Sequence, residues 1–248
     1  MNDWIIPDWP APGNVKALFT TRNGGVSRGA NGAYATLNLG AHVNDNFADV
    51  ECNRTLLRRH LPGEPRWLKQ VHGTLPIWID QTATVIPEGD AVLSRTQDAV
   101  CVVMVADCLP VFLCDAAGTT VGIVHAGWRG LAGGIIERSV AAMAVDHNKL
   151  MAWLGPAIGP DHFEVGADVY EAFVQQNAQA AQAFMPKNSS HEKKWLADIF
   201  LLARQRLTSV GITEIYGGGI CTFSDPERFF SYRRDGETGR MAALIWLE

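Results

Sequence analysis

Three side chains in this 248-residue sequence have the types needed for metal or nucleophilic chemistry, and they stand where α/β folds place such groups. His72 lies in Gln70-Val71-His72-Gly73, Cys108 in Ala106-Asp107-Cys108, and His125 in His125-Ala126-Gly127-Trp128. Each follows an apolar stretch and precedes small or turn residues. Two imidazoles and a thiolate match the three protein donors of a catalytic zinc, which keeps its fourth position open. The same residues admit other chemistry. A thiolate beside an imidazole, Cys108 with His125, is the minimal unit of acyl transfer, and two His with one Cys can hold a blue-copper centre. A four-copper oxidase needs many more histidines, several in His-x-His pairs, whereas this chain has 7 His and no such pair. The bland alternative is a small buried cysteine and two satisfied histidines at a core edge.

A second group suits anions. Arg22 runs into Asn23-Gly24-Gly25-Val26-Ser27, where Gly24 and Gly25 permit positive φ and let amide donors approach a ligand that the guanidinium binds bidentately. Read alone, it is equally an ordinary glycine turn with a surface arginine. Arg129, just beyond the His125 turn, is expected to project near whatever His125 touches. Phe229-Phe230-Ser231-Tyr232-Arg233-Arg234-Asp235-Gly236 combines aromatic rings with cations, and either closes a pocket over a planar ring or packs the terminal strand.

The elements that must carry these residues alternate loosely. Residues 16–21 read as a first strand, 48–60 as a short helix with Val50, Leu56 and Leu57 inward, and 66–71 as a strand. The continuous apolar run 100–106 reads as a strand covered on both faces, ending at Asp107-Cys108. Strands follow at 110–114 and 120–124, then Gly127-Trp128-Arg129-Gly130 turns into a helix over about 131–147 that buries Ile135, Ile136, Val140 and Met143. The second half predicts a strand at 151–154, a long helix over 167–185, a polar loop at 187–194, an amphipathic helix over 195–210 and a strand at 212–216. The class is therefore α/β or α+β with mixed sheets. No linker or fixed-period repeat divides the chain, so residues 1–248 read as one domain.

Composition narrows the setting. The chain is 47% hydrophobic, 19% charged, with a formal charge of −5 and mean hydropathy near zero. No apolar run approaches the roughly 18 residues of a membrane span, and the acidic balance argues against nucleic acid as a main partner. The first twelve residues lack the basic and apolar regions of a signal peptide, which points to the cytoplasm. There, five cysteines with no close pair are thiols or ligands before they are disulfides.

Several phrases taken together resemble the YfiH family, the group known as polyphenol oxidase or laccase-domain proteins and as purine nucleoside phosphorylases. They are Thr21-Arg22-Asn23-Gly24-Gly25-Val26-Ser27, Leu37-Asn38-Leu39-Gly40, Gln70-Val71-His72-Gly73, Ala106-Asp107-Cys108-Leu109-Pro110, His125-Ala126-Gly127-Trp128-Arg129-Gly130 and Ser231-Tyr232-Arg233-Arg234-Asp235-Gly236. They occur in the family's order across almost the whole chain. Val43-Asn44-Asp45 departs from it, since many members carry glycine before the aspartate.

The resemblance implies a layered α/β/β/α sandwich of two related, intertwined halves and a zinc held by His72, Cys108 and His125. It implies phosphorolysis of adenosine, inosine and methylthioadenosine, with adenosine deamination besides. The partners are then a purine nucleoside and phosphate, with no nucleic acid or membrane, for a monomer or homodimer. Arg22, Gly24, Gly25 and Arg129 are the phosphate candidates; Asn38 and Gln70, lying in matching motifs, are candidate orienting groups. Two competitors come with the family: copper-dependent phenol oxidation, and a cysteine hydrolase or peptidoglycan-precursor editing role using Cys108 and His125. The latter is suggested by likeness to a toxin domain with a Cys/His deamidase dyad.

Overall fold

The computed structural model describes residues 3–79, 87–187 and 193–248. In chain order its strands are β1 (Val15–Phe19), β2 (Pro76–Trp78), β3 (Ala91–Ser94), β4 (Cys101–Val105), β5 (Leu109–Asp115), β6 (Val121–Ala126), β7 (Leu150–Leu154), β8 (Glu164–Val165), β9 (Phe184–Lys187), β10 (Lys194–Ala197), β11 (Glu214–Gly217) and β12 (Met241–Leu247). The helices are α1 (Phe47–Arg58), α2 (Trp128–Gly133), α3 (Ile135–Met143), α4 (Ala167–Val174), α5 (Ile199–Ser209) and the single turn α6 (Tyr232–Asp235).

Apolar residues fix how these elements stack. Three strands in the order β1-β12-β4 and six in the order β11-β7-β5-β6-β3-β2 form two facing sheets. The first is antiparallel; the second is mixed, with β11–β7 and β2–β3 parallel and the rest antiparallel. Val103, Val105 and Met241 of the small sheet meet Phe112, Cys114 and Ile123 of the large one in a shared core. The other face of the large sheet packs on α2, α3, α4 and α5 through residues such as Leu131, Ile136, Phe173 and Phe200. Leu57 of α1 covers Val102 and Leu244 on the outer face of the small sheet. The layers are thus α/β/β/α. A further small sheet, β8-β10-β9, flanks the helical side.

Five predicted elements change on folding. Residues 66–71 form no continuous strand and make only single bridges, Arg66 with Cys101 and Lys69 with Glu88. The helix expected over 131–147 starts at Trp128 and is cut in two at Gly134, whose φ of 91° caps one helix and opens the next. Its inward face nevertheless holds Ile135, Ile136, Val140 and Met143 buried. The helix expected over 167–185 stops at Val174; Asn177 caps a 3-10 turn at Ala178–Ala183 and the chain then enters β9. The helix expected from Trp195 begins only at Ile199, because Lys194–Ala197 pairs as β10 and Asp198 caps the helix by accepting the Leu201 N–H. The strand expected at 212–216 shifts to Glu214–Gly217. Of the loop expected at 187–194, residues 188–192 lie outside the described residues.

Candidate metal centre

Strand pairing brings Cys108 and His125 together. β5 and β6 run antiparallel with Leu109 opposite Ala126 and Pro110 opposite His125, so the residue before β5 meets the turn that leaves β6. That turn needs Gly127: a Cβ there would lie 2.9 Å from His72 Cδ2 and 3.0 Å from Cys108 Sγ. Cys108 is aimed by its neighbour Asp107, a non-glycine residue at φ 92°, a conformation that persists only when its surroundings impose it. The Asp107 carboxylate accepts from Thr222 Oγ1 (2.6 Å), Ser231 Oγ (3.0 Å) and the Arg233 amide (2.7 Å), fixing the corner to the C-terminal segment.

His72 reaches the same point on a turn with φ 59°. Its anchor is Asp90, fully buried just before β3. The Asp90 carboxylate accepts the amides of Val71 (3.2 Å), His72 (2.9 Å) and Gly73 (2.7 Å), and lies 2.9 Å from His125 Nδ1. Burial pushes the Asp90 carboxyl up, but hydrogen bonds from His125, Gly73 and Val71 more than offset this and hold it below the usual carboxylate range. An ionised carboxylate only accepts, so His125 keeps a proton on Nδ1, and Nε2 is the nitrogen it turns to the site.

The outcome is a cluster of His72, Cys108 and His125, exposed, half-buried and buried in turn, with donor atoms within 4.8 Å of one another. Cys108 Sγ is 3.8 Å from His72 Nε2, and the two imidazoles meet edge to face at 4.8 Å. Burial opposes ionisation of Cys108, yet the charge and hydrogen bond of His125, with the hydrogen bond of His72, lower its thiol to about 6. Desolvation works against the His125 imidazolium, but the Cys108 thiolate and Asp90 raise it to about 9. By contrast burial alone pushes Cys101 up, and burial with Asp115 pushes Cys114 up to about 12.

The donor set fits a borderline divalent metal: two imidazole nitrogens, a thiolate already favoured, and a carboxylate behind one histidine as metal-ligating imidazoles usually have. Three protein donors are the number a catalytic divalent centre uses when its fourth position serves water or substrate.

The other predicted residues separate into two kinds. Each guanidinium nitrogen of Arg22 donates to a carbonyl, of Ala35 (2.8 Å), Pro226 (3.0 Å) or Gly32 (3.3 Å), with Phe230 beneath it. In its glycine loop the Gly25 amide donates to Thr36 Oγ1 and the Val26 amide to Asn53 Oδ1. Gly24 takes φ 92°, and a Cβ on Gly25 would lie 2.4 Å from both the Asn53 side chain and the Thr36 carbonyl. Here the loop joins elements of the fold. Asn38, fully buried, accepts from the Gly40 and Arg240 amides and donates to Asp45. Gln70 satisfies both main-chain groups of Met104. Arg129 is exposed in the first turn of α2, its guanidinium 4.3 Å above the Trp128 ring. Phe229 and Phe230 are buried and pack the core.

Sequence reasoning passed over Asp90, Asp107 and Arg240. Asp90 carried one usable signal, an acidic residue directly ahead of the apolar Ala91-Val92-Leu93; the register that sets it against His125 had none.

Residues 16–248 match the family model described as multi-copper polyphenol oxidoreductase laccase. A Pseudomonas aeruginosa protein named purine nucleoside phosphorylase is 49% identical over 248 residues, covering 100% of both chains. The Escherichia coli protein named purine nucleoside phosphorylase YfiH is 49% identical over 249 residues, again covering 100% of each. Among solved structures, a Neisseria meningitidis protein of the DUF152 family superposes with a TM-score of 0.94 at 48% identity over 99% of both chains.

Proposed function

Because the chain belongs to the YfiH family, matched by the laccase-type model over residues 16–248, we propose that it is a zinc-dependent purine nucleoside phosphorylase working through His72, Cys108 and His125. The observation that carries the reading is the convergence of these three donors within 4.8 Å of one another, with one buried carboxylate, Asp90, holding the His72 turn and the His125 ring. The substrates we assign are adenosine, inosine and methylthioadenosine, with deamination of adenosine as a second activity. The setting we assign is the cytoplasm, where the five cysteines, all unpaired, stay reduced. Among the described residues no helix is long and apolar enough to cross a membrane.

A zinc ion bound here would supply Lewis-acid polarisation at a position left to the substrate. The chain's own residues do the rest. Asp90 keeps the His125 proton on Nδ1 and holds the His72 turn, so both imidazoles face one point without reorganisation. In phosphorolysis a phosphate oxygen forms a bond to the ribose anomeric carbon as the bond to the purine nitrogen breaks. The bonding pair leaves with the base, which takes up a proton. Positive charge develops on the sugar as the bond to the base breaks. Arg129, exposed in the turn that follows His125, is a candidate for the phosphate.

A four-copper phenol oxidase is disfavoured by the donor supply, since only His72 and His125 of the histidines converge in the cluster among the described residues. One observation does favour a second reading: a thiol lowered to about 6 beside His125 is an activated nucleophile, as in a cysteine hydrolase. Incubating the purified protein with adenosine and inorganic phosphate tests the main proposal. Ribose 1-phosphate and adenine are expected, and their absence refutes it. A Cys108→Ser variant that keeps hydrolytic turnover excludes the thiol as nucleophile.

A further inference from the structure

The cation that grips an oxyanion at this centre is, we infer, Arg240, a role distinct from the structural duties of the neighbouring arginines. The inference rests on the phosphorylase reading and names the residue that holds its phosphate.

Register places it. Met241 opens β12 opposite Val105 at the end of β4, so Arg240 stands opposite Ala106, directly beside Asp107-Cys108. Its backbone is clamped on both sides: the amide donates to the buried Asn38 Oδ1 (2.9 Å) and the carbonyl accepts from Leu39 (3.1 Å). Gly40 gives the side chain room, for a Cβ at that position would lie 2.8 Å from Arg240 Cγ. One guanidinium nitrogen, Nη1, donates to the carbonyls of Thr238 (2.8 Å) and Gly239 (3.0 Å), which locks the plane of the head. The opposite edge, Nε and Nη2, takes no hydrogen bond among the described residues. That edge is the two-donor fork that matches a phosphate or carboxylate.

Three other arginines of the fold are committed elsewhere. Arg22 is spread over three carbonyls, Arg54 donates twice to Leu39 and stacks on Trp67, and Arg234 binds Asp235 and three carbonyls. Arg240 is half-buried, and three of its five N–H donors, those on Nε and Nη2, have no partner among the described residues and are open to an anion. Burial lowers its pKa while the charges of Cys108 and Asp107 act to raise it, as expected for a cation at the centre. His42 senses the same field: burial and then the charges of Arg240, Arg54 and His125 pull it down. Arg54 has Glu51 and His125 has Asp90 as carboxylate partners, whereas Arg240 forms no ion pair among the described residues, the Asp107 carboxylate being engaged by Thr222, Ser231 and the Arg233 amide.

The test uses the full-length, metal-loaded protein with Arg240→Gln and Arg240→Lys, reading inorganic phosphate binding by calorimetry and KM for phosphate and adenosine separately. Arg240→Gln should weaken phosphate binding and raise the phosphate KM by about thirtyfold or more, the scale of losing one buried charge partner. KM for adenosine should stay within about threefold, and Arg240→Lys should recover part of the loss. If Arg240→Gln folds poorly, Gly40→Ala, which displaces the side-chain stem, should raise the phosphate KM in the same selective way. Unchanged phosphate binding in a folded, metal-containing Arg240→Gln overturns the inference while leaving phosphorylase activity standing. Phosphate binding that depends on Arg240 in a wild-type protein making no ribose 1-phosphate upholds Arg240 and overturns the phosphorylase reading. Failure of the wild type to bind phosphate overturns the inference outright.

Discussion

Asp90 and His125 are joined twice: the His125 Nδ1 lies 2.9 Å from the Asp90 carboxylate, and the His125 main-chain amide donates to the Asp90 carbonyl at 2.7 Å. The pair is the point where β3 and β6 hand the imidazole its tautomer and its direction. Since the same carboxylate holds the His72 turn, Asp90→Asn should disturb two metal ligands at once. Metal affinity is expected to fall about 10- to 100-fold, read by chelator competition, with the far-ultraviolet circular dichroism unchanged. Wild-type affinity in Asp90→Asn would remove Asp90 from the account.

Gly127 separates the ligands by having no side chain. Gly127→Ala puts a methyl group against His72 Cδ2 and Cys108 Sγ at 2.9 and 3.0 Å. The variant should lose bound metal and cost about 1–3 kcal/mol in denaturant unfolding. A variant that retains a full equivalent of metal contradicts this geometry.

Thiol reactivity should pick out Cys108 in metal-stripped protein. Its pKa is lowered to about 6, and the thiolate is the nucleophile, so alkylation by iodoacetamide should rise with pH and reach half its limit near pH 6. Cys101 and Cys114, buried and with raised pKa, should stay unmodified through neutral pH. Peptide mass spectrometry reads each site; a Cys108 midpoint at the ordinary thiol value of about 8.5 would show that His125 and His72 do not stabilise its thiolate.

Gln70 has a different task from the ligand two residues later. β4 is an edge strand, and the Gln70 amide satisfies both main-chain groups that Met104 turns away from β12. Gln70→Ala should cost about 1–3 kcal/mol of stability by leaving them unpaired, while metal stoichiometry holds. A loss of metal without a loss of stability would make Gln70 a site residue instead.

Cys108 and His125 were legible because one follows the apolar β4 and the other ends the apolar β6, whereas His72 follows residues 66–71, which form no continuous strand. The sequence hid the residues that aim them. Asp90, Asp107 and Arg240 act through partners 35, 124 and 202 positions away, His125, Ser231 and Asn38, and nothing local marks such pairings. The helix misreadings have a similar source: Trp195 and Leu196 suit either a helix face or a short strand, and pairing with β9 decided for the strand. At Gln175 to Asn177 the apolar spacing continues, but the Asn177 side chain accepts from Gln179 and restarts the chain as a 3-10 turn. The glycine loop after Arg22 had the composition of an anion cradle, yet Thr36 and Asn53 use the amides of Gly25 and Val26.

The most direct measurement is anomalous diffraction from the metal-loaded protein, recorded across the zinc and copper absorption edges. The account predicts one zinc ion within about 2.0–2.3 Å of His72 Nε2, Cys108 Sγ and His125 Nε2. Copper at this position, or an ion bound by other residues with these three apart, would contradict it.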